Sequence, residues 1–275
     1  MKTMKIWSIQ LLTVILLPLI VSCGGDSNSD SEPDPDPLVN KPTLQDQKRI
    51  VKITEEEGST IYETVFSYDS QGRVVKAVET ESSATSTNSY SERTYQYGEL
   101  TIISKEVVEG SYSNGQTFKR SKTHSYSLEN GIIVKDVEIY NYSYSYNGIT
   151  GGNNSTTTSF YSYDSNGYLV SISESGETIP IVWTDGNLTS LEGREFTYTD
   201  IPWNKGMFFY FKGTNMDSCL WPSGYWGNTP KYMPSQDIYK NWTYIYETSN
   251  GLITKVSITN SNTGAVLYIS TIVWE

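Results

Sequence analysis

The feature that most constrains this chain is a recurring turn: an aromatic residue, a short polar link carrying Asp or Glu, a glycine, then an alternating apolar strand. It reads YDSQGRVVKAV from Tyr68, YSLENGIIVKDV from Tyr126, YDSNGYLVSI from Tyr163, WTDGNLTSL from Trp183 and YETSNGLITKV from Tyr246. Weaker copies are YGELTII from Tyr97 and SNTGAVLYI from Ser261. Repetition at this scale signals one supersecondary unit used many times. The polar link is expected to form a type I turn, and Gly72, Gly131, Gly167, Gly186 and Gly251 supply the positive φ that closes a hairpin.

Between the turns lie runs of Tyr, Thr, Val and Ile with period-two alternation, the composition of half-buried strands. In YNYSYSY, Tyr140, Tyr142, Tyr144 and Tyr146 share one strand face, opposite Asn141, Ser143 and Ser145. Similar aromatic rows come from Tyr62, Phe66 and Tyr68, and from Trp242, Tyr244 and Tyr246. The tyrosine hydroxyls are expected to reach water at the rim of an aromatic face. The runs number roughly a dozen or more, too many for an open sheet that neither curls nor closes. The expected fold is therefore all-β: an antiparallel up-and-down meander of repeated hairpins, closed or strongly curved into a barrel-like sheet, with one irregular aromatic-rich segment.

The first residues, MKTMKIWSIQLLTVILLPLIVSC, place Lys2 and Lys5 before an apolar run from Leu11 to Val21. That is the layout of a secretory leader, and the run falls short of the roughly 20 residues of a comfortable span. Ser22 before Cys23, with Gly24 and Gly25 after it, matches the lipobox of bacterial lipoproteins, so 1–22 reads as signal peptide and Cys23 as the lipidation site. Lipid chains on one residue hold a water-soluble domain to a membrane surface, since each buried CH₂ contributes about 0.8 kcal/mol. Residues 23–45, rich in Asp, Ser and Pro, read as a disordered acidic tether, which also resembles the tag that directs some lipoproteins to the outer face of the outer membrane. Residues 46–275 then form a single hairpin-repeat domain, with the irregular segment at 201–242.

The YDSQGR turn at Tyr68 resembles the YD repeats of Rhs-type proteins. From about Arg49 to Glu275, including the break around SGYWGNTPKYMPS, the chain more closely resembles a family of Gram-negative outer-membrane lipoprotein domains of unknown function with a porin-like barrel fold. The resemblance implies a barrel and an envelope location, and it carries no activity and no site residues. The chain departs from that pattern in GITGGNNSTTTS, Gly148 to Ser159, read here as a loop. A membrane-embedded barrel is disfavoured: Glu275 follows the penultimate Trp274, and Lys76, Lys135 and Lys255 interrupt any apolar belt.

The formal charge of −11 becomes more negative once the leader's lysines are removed, which opposes nucleic-acid binding. Besides Cys23 only Cys219 is present, so no disulfide lies within the domain; Cys219 reads as a small buried side chain. His124 is the only histidine, with neither a zinc-site pattern nor a nucleophile elbow beside it, and is read as structural. Glu174 with Glu177, Glu192 with Glu195, and Asp185 are the carboxylates that a glycoside hydrolase would need, set against a background of solvated surface charge. Asp69 and Asp164 lack the ligand density of a calcium loop. No cofactor is implied.

The segment from Ile201 to Trp242 breaks the hairpin pattern and gathers Trp203, Trp221, Tyr225, Trp226, Tyr232 and Trp242. Long irregular segments in compact domains are caps, plugs or binding loops. Two readings compete. In one, MFFYF is buried and the tryptophans seal a barrel end; in the other, exposed rings stack on sugar faces flanked by Asn228 and Asp217. The leading function is a non-catalytic, membrane-anchored interaction module of the outer membrane, binding glycans or an envelope protein and facing the cell exterior. A structural envelope scaffold and a carboxylate-dependent glycan hydrolase are the alternatives.

Overall fold

The structure, a computed structural model, describes residues 48–83, 87–112, 114–191, 193–204, 206–207 and 216–275. The leader, Cys23, the tether, Glu192 and the MFFYF run beyond Met207 lie outside the described residues. Sixteen strands are present among those described: β1 Ile50–Glu57, β2 Thr60–Tyr68, β3 Val74–Ser83, β4 Thr87–Tyr97, β5 Thr101–Tyr112, β6 Thr117–Glu129, β7 Ile132–Tyr146, β8 Ile149–Tyr163, β9 Leu169–Glu174, β10 Glu177–Thr184, β11 Asn187–Leu191, β12 Arg194–Pro202, β13 Tyr232–Asp237, β14 Trp242–Ser249, β15 Leu252–Asn260 and β16 Val266–Trp274. Each pairs antiparallel with its neighbours in sequence, and β16 pairs with β1 to close a barrel. The expected meander is closed, so no strand edge is left to pair with another chain.

The turns follow two chemistries. At Asp69–Gly72 and Asp164–Gly167 only the glycine has positive φ, and the aspartate Oδ1 accepts from the amides two and four residues on. At Asn130–Gly131, Asn147–Gly148, Ser175–Gly176, Asp185–Gly186 and Asn250–Gly251 both loop residues have positive φ. That is the signature of two-residue type I′ turns, so the expectation of one common type I turn is corrected for Gly131, Gly186 and Gly251.

The recurring aromatic residue has a structural task. Tyr68 Oη donates to the Ile50 carbonyl, Tyr97 to Val74, Tyr163 to Ile133 and Tyr246 to Pro234, at 2.6–2.8 Å. Trp183 Nε1 donates to the Leu169 carbonyl and Trp274 Nε1 to Ile253, both at 2.7 Å, and Tyr198 bonds the Leu188 carbonyl. Most repeats thus clasp the backbone of an earlier one around one end of the barrel; the repeat that starts at Tyr126 is the exception, its buried hydroxyl having no hydrogen-bond partner among the described residues. The rim expectation for the tyrosine hydroxyls is corrected at the bonded positions: they are half-buried and satisfied by carbonyls. Burial pushes the ionisation of Tyr68, Tyr97, Tyr163 and Tyr198 well above the usual value, so each remains a donor.

GITGGNNSTTTS is a strand and not a loop. It forms most of β8, paired with β7 from Tyr146↔Ile149 to Lys135↔Phe160. Tyr144 lies so close over Gly151 that an added Cβ would stand 2.5 Å from its hydroxyl, and one on Gly152 would stand 2.2 Å from the Tyr142 carbonyl. The glycines admit a ring and a backbone, and the threonines that follow favour extended structure.

Candidate functional site

Strand register assigns every side chain to one of two faces. The inward face carries Phe66, Val74, Tyr95, Ile102, Tyr126, Ile133, Tyr161, Leu169 and Ile172, all buried. The outward face is mainly polar, with exposed Ile61, Val65, Ile139, Phe160, Val182, Ile245 and Val273 distributed over it. On β6 it is Thr117, Lys119, Ser121, Thr123, Ser125 and Ser127, each paired across to another outward residue. Several outward apolar residues stand among polar ones, such as Ile139 between Thr123 and Thr156 and Phe160 between Lys135 and Ser173, while Val65 pairs with Val78. Lys76 and Lys255 point outward into pairs with Glu92 and Glu247. A lipid-facing wall needs a continuous apolar band, and this wall has the composition of one facing water. No helix among the described residues is long and apolar enough to cross a membrane.

One end of the barrel is plugged by the irregular segment. Trp221, Tyr225 and Trp226 are 3%, 7% and 0% exposed, so the packing alternative describes these three candidate rings. Trp226 meets Tyr161 and Tyr126 edge-on, at 4.9 and 5.9 Å between centroids, and Tyr225 stacks on Tyr97 at 5.7 Å. Backbone bonds pin the segment to the turns of that end: Ile133 N to Tyr225 O, Asn228 N to Gly167 O and Lys231 N to Gly186 O, each 2.9 Å. Asp217, expected as a surface acceptor, is buried: it caps the 3-10 turn Ser218–Leu220 through Cys219 N, accepts from Tyr95 Oη with both oxygens at 2.9 Å, and stands 3.3 Å from Arg93. Trp203 and Tyr232 are half-buried where the segment leaves and rejoins the sheet. Trp242 instead begins β14 on the inward face at the opposite end, against Tyr268 at 5.6 Å.

That opposite end holds no crossing segment among the described residues. Its inward Glu57, Glu79, Asn153 and Ser155 are exposed, so water reaches the lumen there. Glu79 is accessible yet enclosed by the wall; this desolvation, with Glu106 and Glu55 nearby, raises its pKa against the opposing pull of Thr64 and Arg93. Strands β7 and β8 run 15 residues against eight in β10. At roughly 3.3 Å per residue the tall wall rises on the order of 20 Å further along the strand direction. A shallow cleft of about 420 Å³ crosses β5–β8; its lining takes the outward Glu109, Lys119, Ser143 and Thr150 together with the inward Phe118 and Tyr144, and neither Arg120 nor Tyr142.

The inner surface also shows groupings that sequence reasoning missed. His124 Nδ1 lies 2.8 Å from Asp136 Oδ2 and its Nε2 lies 3.5 Å from Glu138. Burial raises the pKa of Asp136, partly offset by the His124 hydrogen bond. Ser104 is the cross-strand partner of His124, but its buried Oγ has no hydrogen-bond partner, so these two side chains are not bonded as a nucleophile and its base. Of the described carboxylates considered for hydrolysis, Glu174 and Glu177 come together, as partners at the β9–β10 hairpin; Glu195 points outward and Asp185 sits in a turn at the plugged end. The Cys219 thiol is pushed up to about 12 by burial, then by Asp217. Period-two spacing identified the tyrosine row of β7, but which face it occupied depended on closure of the barrel.

Fold and site together define a closed sixteen-strand antiparallel barrel with an internal plug, a mainly polar outer wall and one water-open end. No family model and no curated protein matches the chain. Among solved structures it is similar to a porin-like protein from Bacteroides uniformis, with 16% identity over 82% of this chain and 98% of that one and a TM-score of 0.55. A porin-like protein from Bacteroides vulgatus aligns at 10% identity over 83% and 99% of the two chains, with a TM-score of 0.27.

Proposed function

We propose that this protein is a non-catalytic binding module of the cell envelope, a water-soluble plugged barrel held to the outer membrane by lipid on Cys23. The observation that carries the reading is the outer wall, where lysine, glutamate, serine and threonine interrupt the exposed apolar side chains on strand after strand, while the buried core lies inside the barrel. Such a wall is solvated as it stands and has no apolar band with which to span a bilayer. The plug fills the lumen at the end where β1 begins and β16 ends, so the fold shared with a porin-like protein serves here as a scaffold and not as a conduit. The open end with its tall wall is the face assigned to meet a ligand, here a glycan.

The test is fractionation of the full chain in a Gram-negative host. Wild type is expected in the outer-membrane fraction, and a chain with Cys23→Ala whose residues 1–22 are replaced by an ordinary cleavable secretory leader in the soluble periplasmic fraction, folded without detergent. If that unlipidated chain stays with membranes through a carbonate wash and needs detergent for solubility, both the lipid anchor and the soluble barrel are overturned.

A further inference from the structure

We propose that the inner face of the tall β6–β8 wall is a binding site for acidic glycans, with Arg120 on the sugar's acid group and Tyr142 and Tyr144 beneath its ring. The proposal rests on the glycan-binding reading above and gives it a place and a ligand class.

Cross-strand pairing sets Val108, Arg120, Tyr142 and Asn153 in one inward row, next to the row that holds Phe118 and Tyr144. Tyr142 and Tyr144 are half-exposed, with centroids 6.1 Å apart and a 34° tilt, a spacing comparable to one pyranose ring. Tyr144 packs closely over Gly151 and is half-exposed. Rings held in this way lose little entropy when a sugar's C–H face settles on them. Asn153, exposed and opposite Tyr142, offers both a donor and an acceptor to ring hydroxyls.

The charge pattern decides the class. Neighbouring cations on the inner wall are already neutralised: Lys122 lies 3.3 Å from Glu138, and Arg93 lies 2.6 Å from Glu106. Arg120 is exposed and has no ion-pair or hydrogen-bond partner among the described residues. A planar guanidinium without a partner matches a carboxylate or sulfate ester in a bidentate contact. One such cation beside aromatic rings fits one acid group per sugar unit; a nucleic acid needs a stripe of cations to neutralise successive phosphates. Glu106 on the same inner wall is within electrostatic reach of Arg120 but is bonded to Arg93 at 2.6 Å, which leaves the Arg120 guanidinium face open; more distant acidic charge is screened by physiological salt beyond about 8 Å.

The test uses the full chain in detergent micelles with two polysaccharides, polygalacturonate as the acidic probe and dextran as the neutral one, by affinity electrophoresis and calorimetry. Polygalacturonate is expected to bind and dextran not to, with about tenfold or greater loss in both Arg120→Ala and Tyr142→Ala. Lys119→Ala, one residue away on the outward face, should stay within about twofold. Circular dichroism of each variant separates lost binding from lost fold. Equal binding of both polysaccharides with no effect of Arg120→Ala would overturn the acidic class and leave the glycan reading standing. Binding unaffected by Arg120→Ala and Tyr142→Ala but lost in Trp242→Ala would overturn this location alone. Failure of every glycan on an array to bind would overturn both.

Discussion

The junction between plug and wall depends on Asp217, and its removal offers the most direct test of the architecture. The Asp217 side chain is 4% exposed and makes four contacts: two from Tyr95 Oη, one from Cys219 N and one ion pair with Arg93. The backbone carbonyl of the same residue accepts from Trp226 Nε1 at 2.9 Å, so loosening Asp217 also loosens the largest buried ring. Breaking a buried ion pair costs about 3–5 kcal/mol when the remaining charge is left alone. Here Arg93 keeps Glu106 at 2.6 Å, which places Asp217→Ala at the low end, about 3 kcal/mol, or roughly a hundredfold in the folded-to-unfolded ratio. Asp217→Asn retains an acceptor for Tyr95 and should cost less. Urea unfolding of the full chain followed by tryptophan fluorescence reads both, with the midpoint moving at constant slope if the native and unfolded states keep their surface areas. Glu247→Ala, at the exposed pair with Lys255, serves as a surface control expected to cost about 0–1 kcal/mol. An Asp217→Ala protein within 1 kcal/mol of wild type, on the scale of a single neutral hydrogen bond, would refute the idea that this carboxylate locks the plug.

Three further outcomes follow from the same geometry. Tyr163→Phe removes one clasp and leaves the Ile133 carbonyl without its donor, so it should lower unfolding free energy by about 1 kcal/mol in the same urea assay. Glu106 has its pKa lowered because Arg93 outweighs the desolvation that burial imposes; a depressed carboxylate stabilises the fold above its unfolded pKa of about 4.3. The stability gap between wild type and Glu106→Gln should therefore be full at pH 7 and close as pH falls through the acid range, measured by thermal melts; a gap that widens on acidification contradicts the assignment. Cys219, buried and with its thiol held protonated, should resist iodoacetamide in the native protein and react once urea unfolds it.

Legibility followed locality. The hairpins were readable because a two-residue turn and a period-two strand are decided within about ten residues, as at Asn130–Gly131 between Tyr126 and Val137. The reading failed where a local signal was ambiguous without a partner. Gly151 and Gly152 read as loop residues in isolation, and only Tyr144 and the Tyr142 carbonyl of the neighbouring strand make them strand residues. The acceptor of the Tyr163 hydroxyl has no local signature, because that carbonyl lies 30 residues away. Trp221 and Trp226 were equally consistent with a stacking platform and with a sealed core, and burial chose the core.

By itself, the sequence determined the all-β class, the antiparallel neighbour-to-neighbour order and the positions of the turns, because backbone sterics and side-chain alternation act over a few residues. Tertiary structure alone decided which face of every strand became the inside, since alternation marks two faces without naming either. Closure of β16 on β1 turned the aromatic face inward, set Ser, Thr, Lys and Glu against water, drew the irregular segment into one end and left Arg120 and Tyr142 on the wall of the other. Those placements join residues far apart in the chain, such as Tyr95 and Asp217, and only packing of the whole barrel brings such partners within reach.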